Sequence, residues 1–412
     1  MPKTQASPAQ KVASKKAPKK VAKPARGPPA KKADAKKVTK KSPVMKTSPA
    51  KTVKITKNTS LKTIEQICKM RVSQQKVVKP RDLVSLEGID MSAGEEEIIA
   101  QLMNNLTKVG FLTLKNIEGY DEAEHFRAVY AFYNEVPQEE RAKMIWRHHR
   151  PENSNYYRGV APFVANDKAH KEMYDMGGKL SKVSDEALKH PLYEESPFPP
   201  QEKYRWIKDT FDRYYNLFHK VSLRLLEYLS LGLGRERFFF HQWFEHDSLS
   251  TFRAIHLLPR SAGIVDSSKL SADAYKLTTP EHADGGFITL LSTFGYPGLQ
   301  VELDGEYKSI KPVYGQLVVN LGQAFELCTN YQMKATMHRV LDIGVERFSS
   351  PFFLRPMYTA TIPTNVLAPE KAKTEPPVVY GPWFVHNLVA ESVEWKGLVL
   401  PDTSRRHRNA KG

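Results

Sequence analysis

His282, Asp284 and His338, in the segments EHADGGFITLL and KATMHRVL, offer two imidazoles and one carboxylate. That set binds Fe(II) on one face and leaves the opposite face open for dioxygen chemistry. Nine residues past the last of them, Arg347 and Ser349 form an Arg-x-Ser pair in ERFSSPFFLRP. A guanidinium fork and a hydroxyl suit the two oxygens of a carboxylate. Together the five residues point to an oxygen-activating iron enzyme with an acidic co-substrate.

A single His-x-Asp carries little weight. About one residue in twenty is Asp at average usage, and the chain has 13 His. The surrounding text makes the set specific. Gly285-Gly286, Thr289-Leu290-Leu291, Gly298-Leu299-Gln300-Val301, Lys311-Pro312-Val313, Val318-Val319-Asn320 and Thr329-Asn330 run between the ligands, and Arg339-Val340 follow His338. This order and spacing resembles the isopenicillin N synthase-like family of Fe(II)/2-oxoglutarate oxygenases. Upstream, Asp82-Leu83, Val109-Gly110-Phe111-Leu112, Pro151-Glu152-Asn153 and Tyr157-Arg158-Gly159 are similar to the amino-terminal half of that family. The likeness covers roughly residues 80–360.

The resemblance implies Fe(II) held by His282, Asp284 and His338, with 2-oxoglutarate and O2 as co-substrates. Arg347 and Ser349 would grip the distal carboxylate of 2-oxoglutarate, whose other end chelates the iron. Oxidative decarboxylation to succinate and CO2 would then drive oxidation of a second substrate. Two departures stand out. Many relatives carry a co-substrate tyrosine shortly before the first ligand, whereas Phe252–Pro259 here has none, so His256 is the candidate replacement. Relatives also often have Asp where this chain has Gln323. Tyr157, Arg158 and Phe353 are the remaining candidates for the substrate or co-substrate pocket.

The elements that must position these groups are legible in outline. His282 and Asp284 are two apart, so on a strand both would face the barrel interior, with His338 closing the triad from a distant strand across the barrel. Runs at 287–293, 299–303, 308–312 and 317–321, with Asp304-Gly305 as a hairpin turn, read as short strands. Such strands suggest a double-sheet jelly roll, and the resemblance implies the same: an α+β fold with a double-stranded β-helix core flanked by helices. Ser92-x-x-Glu95 reads as a capping box before a helix with Ile98, Ile99, Leu102 and Leu106 on one face. Further helices are expected over 61–80 (or a linker there), over 122–135, and over about 200–230. The last has an apolar stripe from Ile207 to Leu229 and a stop at Gly232 and Gly234.

The chain of 412 residues divides by charge. Residues 1–60 hold 18 Lys+Arg against Asp34 alone, a net of +17; the remainder balances at 44 basic and 44 acidic. A segment of Lys, Ala, Pro, Ser and Thr without aromatics cannot offset its chain entropy, so a disordered basic N-terminal tail is expected. It suits weak, salt-sensitive, non-specific nucleic-acid contact, or equally a solubilising or targeting extension. Beyond it we expect a helix-rich part over 61–245, the catalytic core over 246–360, and a C-terminal extension over 361–412. Its aromatics Tyr380, Trp383, Phe384 and Trp395 could fold across the mouth as a lid, or simply pack. No apolar run is long enough to span a bilayer, and Cys68 and Cys328 offer no disulfide framework. An intracellular setting, cytoplasmic or nuclear, is expected.

Three readings follow. The first is a dioxygenase that hydroxylates or desaturates a small molecule at the expense of 2-oxoglutarate. The second is an iron oxidase of the same fold that uses no keto acid. The third is a nucleic-acid-tethered binding protein with a vestigial barrel. The complete ligand set argues against the third, and the first is the reading we expect. The prime substrate is not legible.

Overall fold

The computed structural model describes residues 55–56, 58–74, 80–164, 169–244, 246–260, 276–366 and 376–391. The expectations for residues 1–54 and for Trp395 lie outside these.

Helices α1 (Leu61–Gln74), α2 (Glu95–Lys108), α3 (Glu122–Asn134), α4 (Gln138–Ala142) and α5 (Arg205–Gly232) precede the core, and α6 (Gln323–Cys328) and α7 (Tyr380–Glu391) come later. The N-terminal strands are β1 (Leu83–Val84), β2 (Gly88–Asp90), β3 (Phe111–Lys115), β4 (Gly159–Ala161) and β5 (Glu172–Met176). Next come β6 (Thr251–Leu257), β7 (Leu277–His282), β8 (Ile288–Ser292), β9 (Leu299–Leu303) and β10 (Glu306–Ile310). The series ends with β11 (Leu317–Leu321), β12 (His338–Leu341), β13 (Arg347–Leu354), β14 (Thr361–Ile362) and β15 (Val378–Val379).

The strands form two main sheets. One has the order β1-β10-β9-β12-β7, the other β2-β3-β11-β8-β13-β6-β5-β4. From β6 onward the core strands alternate between the sheets, except that β9 and β10 form a hairpin within the smaller one, and this is the winding of a double-stranded β-helix. Strands β2 to β5 extend the larger sheet with segments from the helix-rich part. Asp304 and Gly305, with φ of 53° and 76°, make the tight turn between β9 and β10, as expected of Asp-Gly between two strand runs.

Helix α5 backs the larger sheet. Its stripe of Ile207, Phe211, Tyr214, Phe218, Leu225 and Leu229 is buried, and Phe211 meets Phe252 of β6 at 5.1 Å between ring centroids. Each fully buried aromatic removes a large apolar area from water, so this layer holds the larger sheet rigid behind the site. Helix α3 begins as its sequence predicts, with the Asp121 carboxylate accepting from the amides of Ala123 and Glu124. Helix α2 does not. Its N-cap is Gly94, and Ser92 instead donates to Asp90 Oδ1 at 2.6 Å. Asp90 competes for Ser92, and three glutamates in the first turn supply the negative charge that a helix start favours.

Candidate active site

His282 is the last residue of β7, and His338 opens β12. The two are Cα partners in one antiparallel ladder, with ring centroids 4.3 Å apart. The second histidine is thus remote in sequence yet comes from the adjacent strand, not from across the barrel. Asp284 lies beyond the end of β7, contrary to the expectation of a shared strand face. The chain turns away at Gly285-Gly286, and the Gln323 amide donates to the Asp284 carbonyl at 2.7 Å. This close approach requires glycine at 322, where a Cβ would fall 2.3 Å from the Gly286 carbonyl oxygen.

One ligand atom from each of the three residues lies within 4.8 Å of the others. Their free ends are selected by hydrogen bonds. Nδ1 of His282 donates to the Pro280 carbonyl at 2.9 Å, and Nδ1 of His338 to that of Thr336 at 3.1 Å. A carbonyl can only accept, so both Nε2 atoms keep their lone pairs. On Asp284, Oδ2 accepts from Thr289 Oγ1 at 2.6 Å and from Asn320 Nδ2 at 2.8 Å, which leaves Oδ1 open. Thr289 and Asn320 belong to β8 and β11 of the larger sheet, so both sheets fix the triad.

Burial pushes the His282 imidazole down to about 4, with His338 acting in the same direction. Burial also pushes the Asp284 carboxyl up, but the two imidazoles and the Asn320 and Thr289 hydrogen bonds outweigh it and bring it to about 2. A neutral His282 beside an ionised carboxylate suits a divalent cation. The donor set fits ferrous iron with one face open.

The triad opens into a chamber of about 90 Å³ between the sheets. That is far more than the roughly 10–15 Å³ needed to hold a single water, so the space has room for a small ligand. Arg347 and Ser349 line it, as the sequence suggests. The Arg347 guanidinium donates to Thr278 Oγ1 at 3.0 Å and to the carbonyls of Leu341 and Pro297 at 2.6 and 3.3 Å. All three acceptors are neutral. Burial accordingly pulls its pKa down to about 10 despite Asp342 in the vicinity. A buried cation without a carboxylate is costly, and an anionic ligand would supply one.

Phe353 also lines the chamber, but the other three pocket candidates do not. His256 sits on the opposite face of β6 from Arg253, Ile255 and Leu257, which do line it. Its ring nitrogens are held by Glu172 and Glu346, each at 2.7 Å, and it stacks on Phe348. The Tyr157 hydroxyl accepts from Arg355 at 3.1 Å, and Arg158 is buried against Thr251 and the carbonyls of Leu249 and Ser250. Both brace the start of β6. Sequence reasoning missed Lys171, Arg253 and Tyr296, which line the chamber. For Arg253 a signal existed: an arginine at an inward position of a largely apolar strand. Its partner Asp175, bound through both carboxylate oxygens at 2.6 and 2.7 Å, lies too far away in sequence to be anticipated.

In the C-terminal extension, Tyr380 and Phe384 of α7 are buried and stack on each other. Tyr380 donates to the Gly285 carbonyl at 3.3 Å. The helix therefore backs the loop that carries Asp284.

Known proteins are similar to this chain. The family profile of the 2OG-Fe(II) oxygenase superfamily matches residues 264–356. The isopenicillin N synthase of Lysobacter lactamgenus is 27% identical over 313 residues, 75% of this chain and 94% of that protein. A 2-oxoglutarate-Fe(II) type oxidoreductase of Aspergillus fumigatus is 31% identical over 221 residues, 49% of this chain and 61% of that protein. Among solved structures, a Neurospora crassa protein in complex with alpha-KG and 5-formyluracil superposes with a TM-score of 0.60 at 22% identity, over 76% of this chain and 98% of that one. The fold and these relatives agree: residues 264–356 match the 2OG-Fe(II) oxygenase superfamily, and about three quarters of the chain is similar to isopenicillin N synthases.

Proposed function

We propose that His282, Asp284 and His338 ligate Fe(II), and that Arg347 and Ser349 bind the distal carboxylate of 2-oxoglutarate. The protein is an Fe(II)/2-oxoglutarate-dependent dioxygenase, and its prime substrate on this reading is a small molecule that undergoes hydroxylation or desaturation. The observation that carries the reading is the Arg347 guanidinium, buried in the same chamber as the triad and bonded, among the described residues, only to neutral acceptors. When bound, iron and the keto acid supply the oxidising chemistry: O2-dependent decarboxylation to succinate and CO2, coupled to oxidation of a substrate C–H bond. The protein's own groups orient and shield. Pro280 and Thr336 fix the imidazole tautomers, Thr289 and Asn320 fix the carboxylate, and the apolar walls from Leu257, Leu291, Leu299 and Phe353 limit water near the reacting centre.

Anaerobic titration with Fe(II) and then 2-oxoglutarate tests this. The expected result is a visible charge-transfer band, absent in His282→Ala, and succinate release on admission of air. Iron binding without the band or succinate would favour an oxidase that uses no keto acid, as the likeness to isopenicillin N synthase allows. Among the described residues, no helix is long and apolar enough to cross a membrane. For residues 1–60 we propose weak, non-specific contact with nucleic-acid phosphates in an intracellular setting. Their charge of +17 supports it, and affinity that persists at high salt would argue against it.

A further inference from the structure

The loop of residues 293–298 joins β8 to β9 and closes the chamber at the Arg347 end. The Pro297 carbonyl accepts from Arg347 Nη1 at 3.3 Å. Tyr296, one residue earlier, lines the chamber together with Arg347, Ser349 and Leu299. The hydroxyls of Tyr296 and Ser349 have no hydrogen-bond partner among the described residues. Two uncommitted hydroxyls thus share one end of a chamber with a guanidinium that has only neutral acceptors. A carboxylate has about four lone-pair sites. Arg347 and Ser349 would fill three of them, and a phenol hydroxyl suits the fourth.

The position of Tyr296 is set from outside the barrel by α1. Among the described side chains of that helix, Ile64, Cys68 and Arg71 are buried, spaced four and three apart on one face. The Arg71 guanidinium lies between two rings, 4.2 Å from the Phe126 centroid and 3.9 Å from that of Tyr296. It also donates to the Phe294 carbonyl. Helix and loop touch backbone to backbone: a Cβ at Gly295, where φ is +73°, would fall 2.2 Å from the Cys68 carbonyl oxygen. A cation over the ring face and a hydrogen bond to the loop leave Tyr296 little freedom.

We propose that Tyr296 is a co-substrate-binding residue whose hydroxyl donates to the carboxylate held by Arg347 and Ser349, and that Arg71 of α1 is the positioning residue that fixes its ring. The inference rests on the assignment of that carboxylate to 2-oxoglutarate. It gives the helix next to the basic tail a direct role in co-substrate affinity.

The test uses the full-length protein loaded anaerobically with Fe(II) and titrated with 2-oxoglutarate, followed by steady-state succinate release. Tyr296→Phe should raise the 2-oxoglutarate Kd roughly tenfold, equivalent to about 1.4 kcal/mol. Arg71→Ala should raise it by about three- to tenfold and Arg71→Lys by less, since a cation is restored. In each variant KM for 2-oxoglutarate should rise more than kcat falls, and Fe(II) affinity should stay within about twofold of wild type. Unchanged 2-oxoglutarate affinity in both Tyr296→Phe and Arg71→Ala overturns the inference. So does a loss matched by an equal loss of Fe(II) affinity, which would mark general damage to the fold. A wild-type protein that binds Fe(II) but shows no response to 2-oxoglutarate overturns the underlying assignment instead, so the two failures are distinguishable.

Discussion

Two arginines face the same chamber from strands paired in one sheet, and their surroundings are opposite. Arg253 of β6 is clasped by both oxygens of Asp175, and Arg347 of β13 has only neutral acceptors among the described residues. Burial works against both charges. At Arg253 the Asp175 carboxylate outweighs it and holds the pKa above the ordinary value; at Arg347 nothing does, and the pKa falls to about 10. The contrast separates a cation whose partner is built into the protein from one whose partner must arrive as a ligand.

Substitution should break the two sites in different ways. Arg347→Ala should weaken 2-oxoglutarate binding roughly 30- to 1,000-fold, as expected when one member of a buried charge pair is removed, with little loss of stability. Titration calorimetry alongside thermal unfolding would show the split. Asp175→Asn should do the reverse. It leaves the part-buried Arg253 unpaired, at a cost of up to about 3 kcal/mol, read by denaturant unfolding, while the co-substrate affinity of the folded fraction changes little. If Asp175→Asn selectively abolished 2-oxoglutarate binding, the division between the arginines would be wrong.

A smaller effect is expected behind the triad. Asn320→Ala removes one of the two hydrogen bonds on Asp284 Oδ2 and should weaken Fe(II) affinity about 10- to 100-fold, measured by competition with a chelator. Smaller still is the effect of His256→Gln. Burial alone would lower the pKa of His256, but Glu172 and Glu346 outweigh it and raise it, while both glutamates are lowered. Stability from the protonated imidazole is therefore present below its ordinary pKa near 6.5 and lost as pH rises through the raised value. Stability from the glutamates is lost as pH falls below about 4.5. The gap in Tm between wild type and His256→Gln should be widest between those limits. Since Glu346 is half exposed, its share of that gap should correspond to no more than about 1 kcal/mol.

The sequence made the chemistry more legible than the placement. The triad and the Arg-x-Ser pair are short-range patterns of residue type, and the fold follows from alternation and turn residues that act locally. The misplacements share a cause. His256 was matched by position along the chain, but a one-residue offset on a strand turns a side chain to the other face, and Ile255 and Leu257 are the inward neighbours. Asp284 left its strand because Gly322, far along the chain, lets two loops meet. The capping box failed because Asp90 binds Ser92 first. Tyr296 carried no signal of its own, since its place depends on Arg71, a contact between distant segments.

The most direct test of the central claim is a crystal structure grown anaerobically with Fe(II) and 2-oxoglutarate, with iron located by anomalous scattering. The account predicts one iron bound by His282 Nε2, Asp284 Oδ1 and His338 Nε2, and a keto acid whose far carboxylate meets Arg347 and Ser349. Iron at any other site, or a bound keto acid that leaves the Arg347 guanidinium on its neutral acceptors alone, would contradict it.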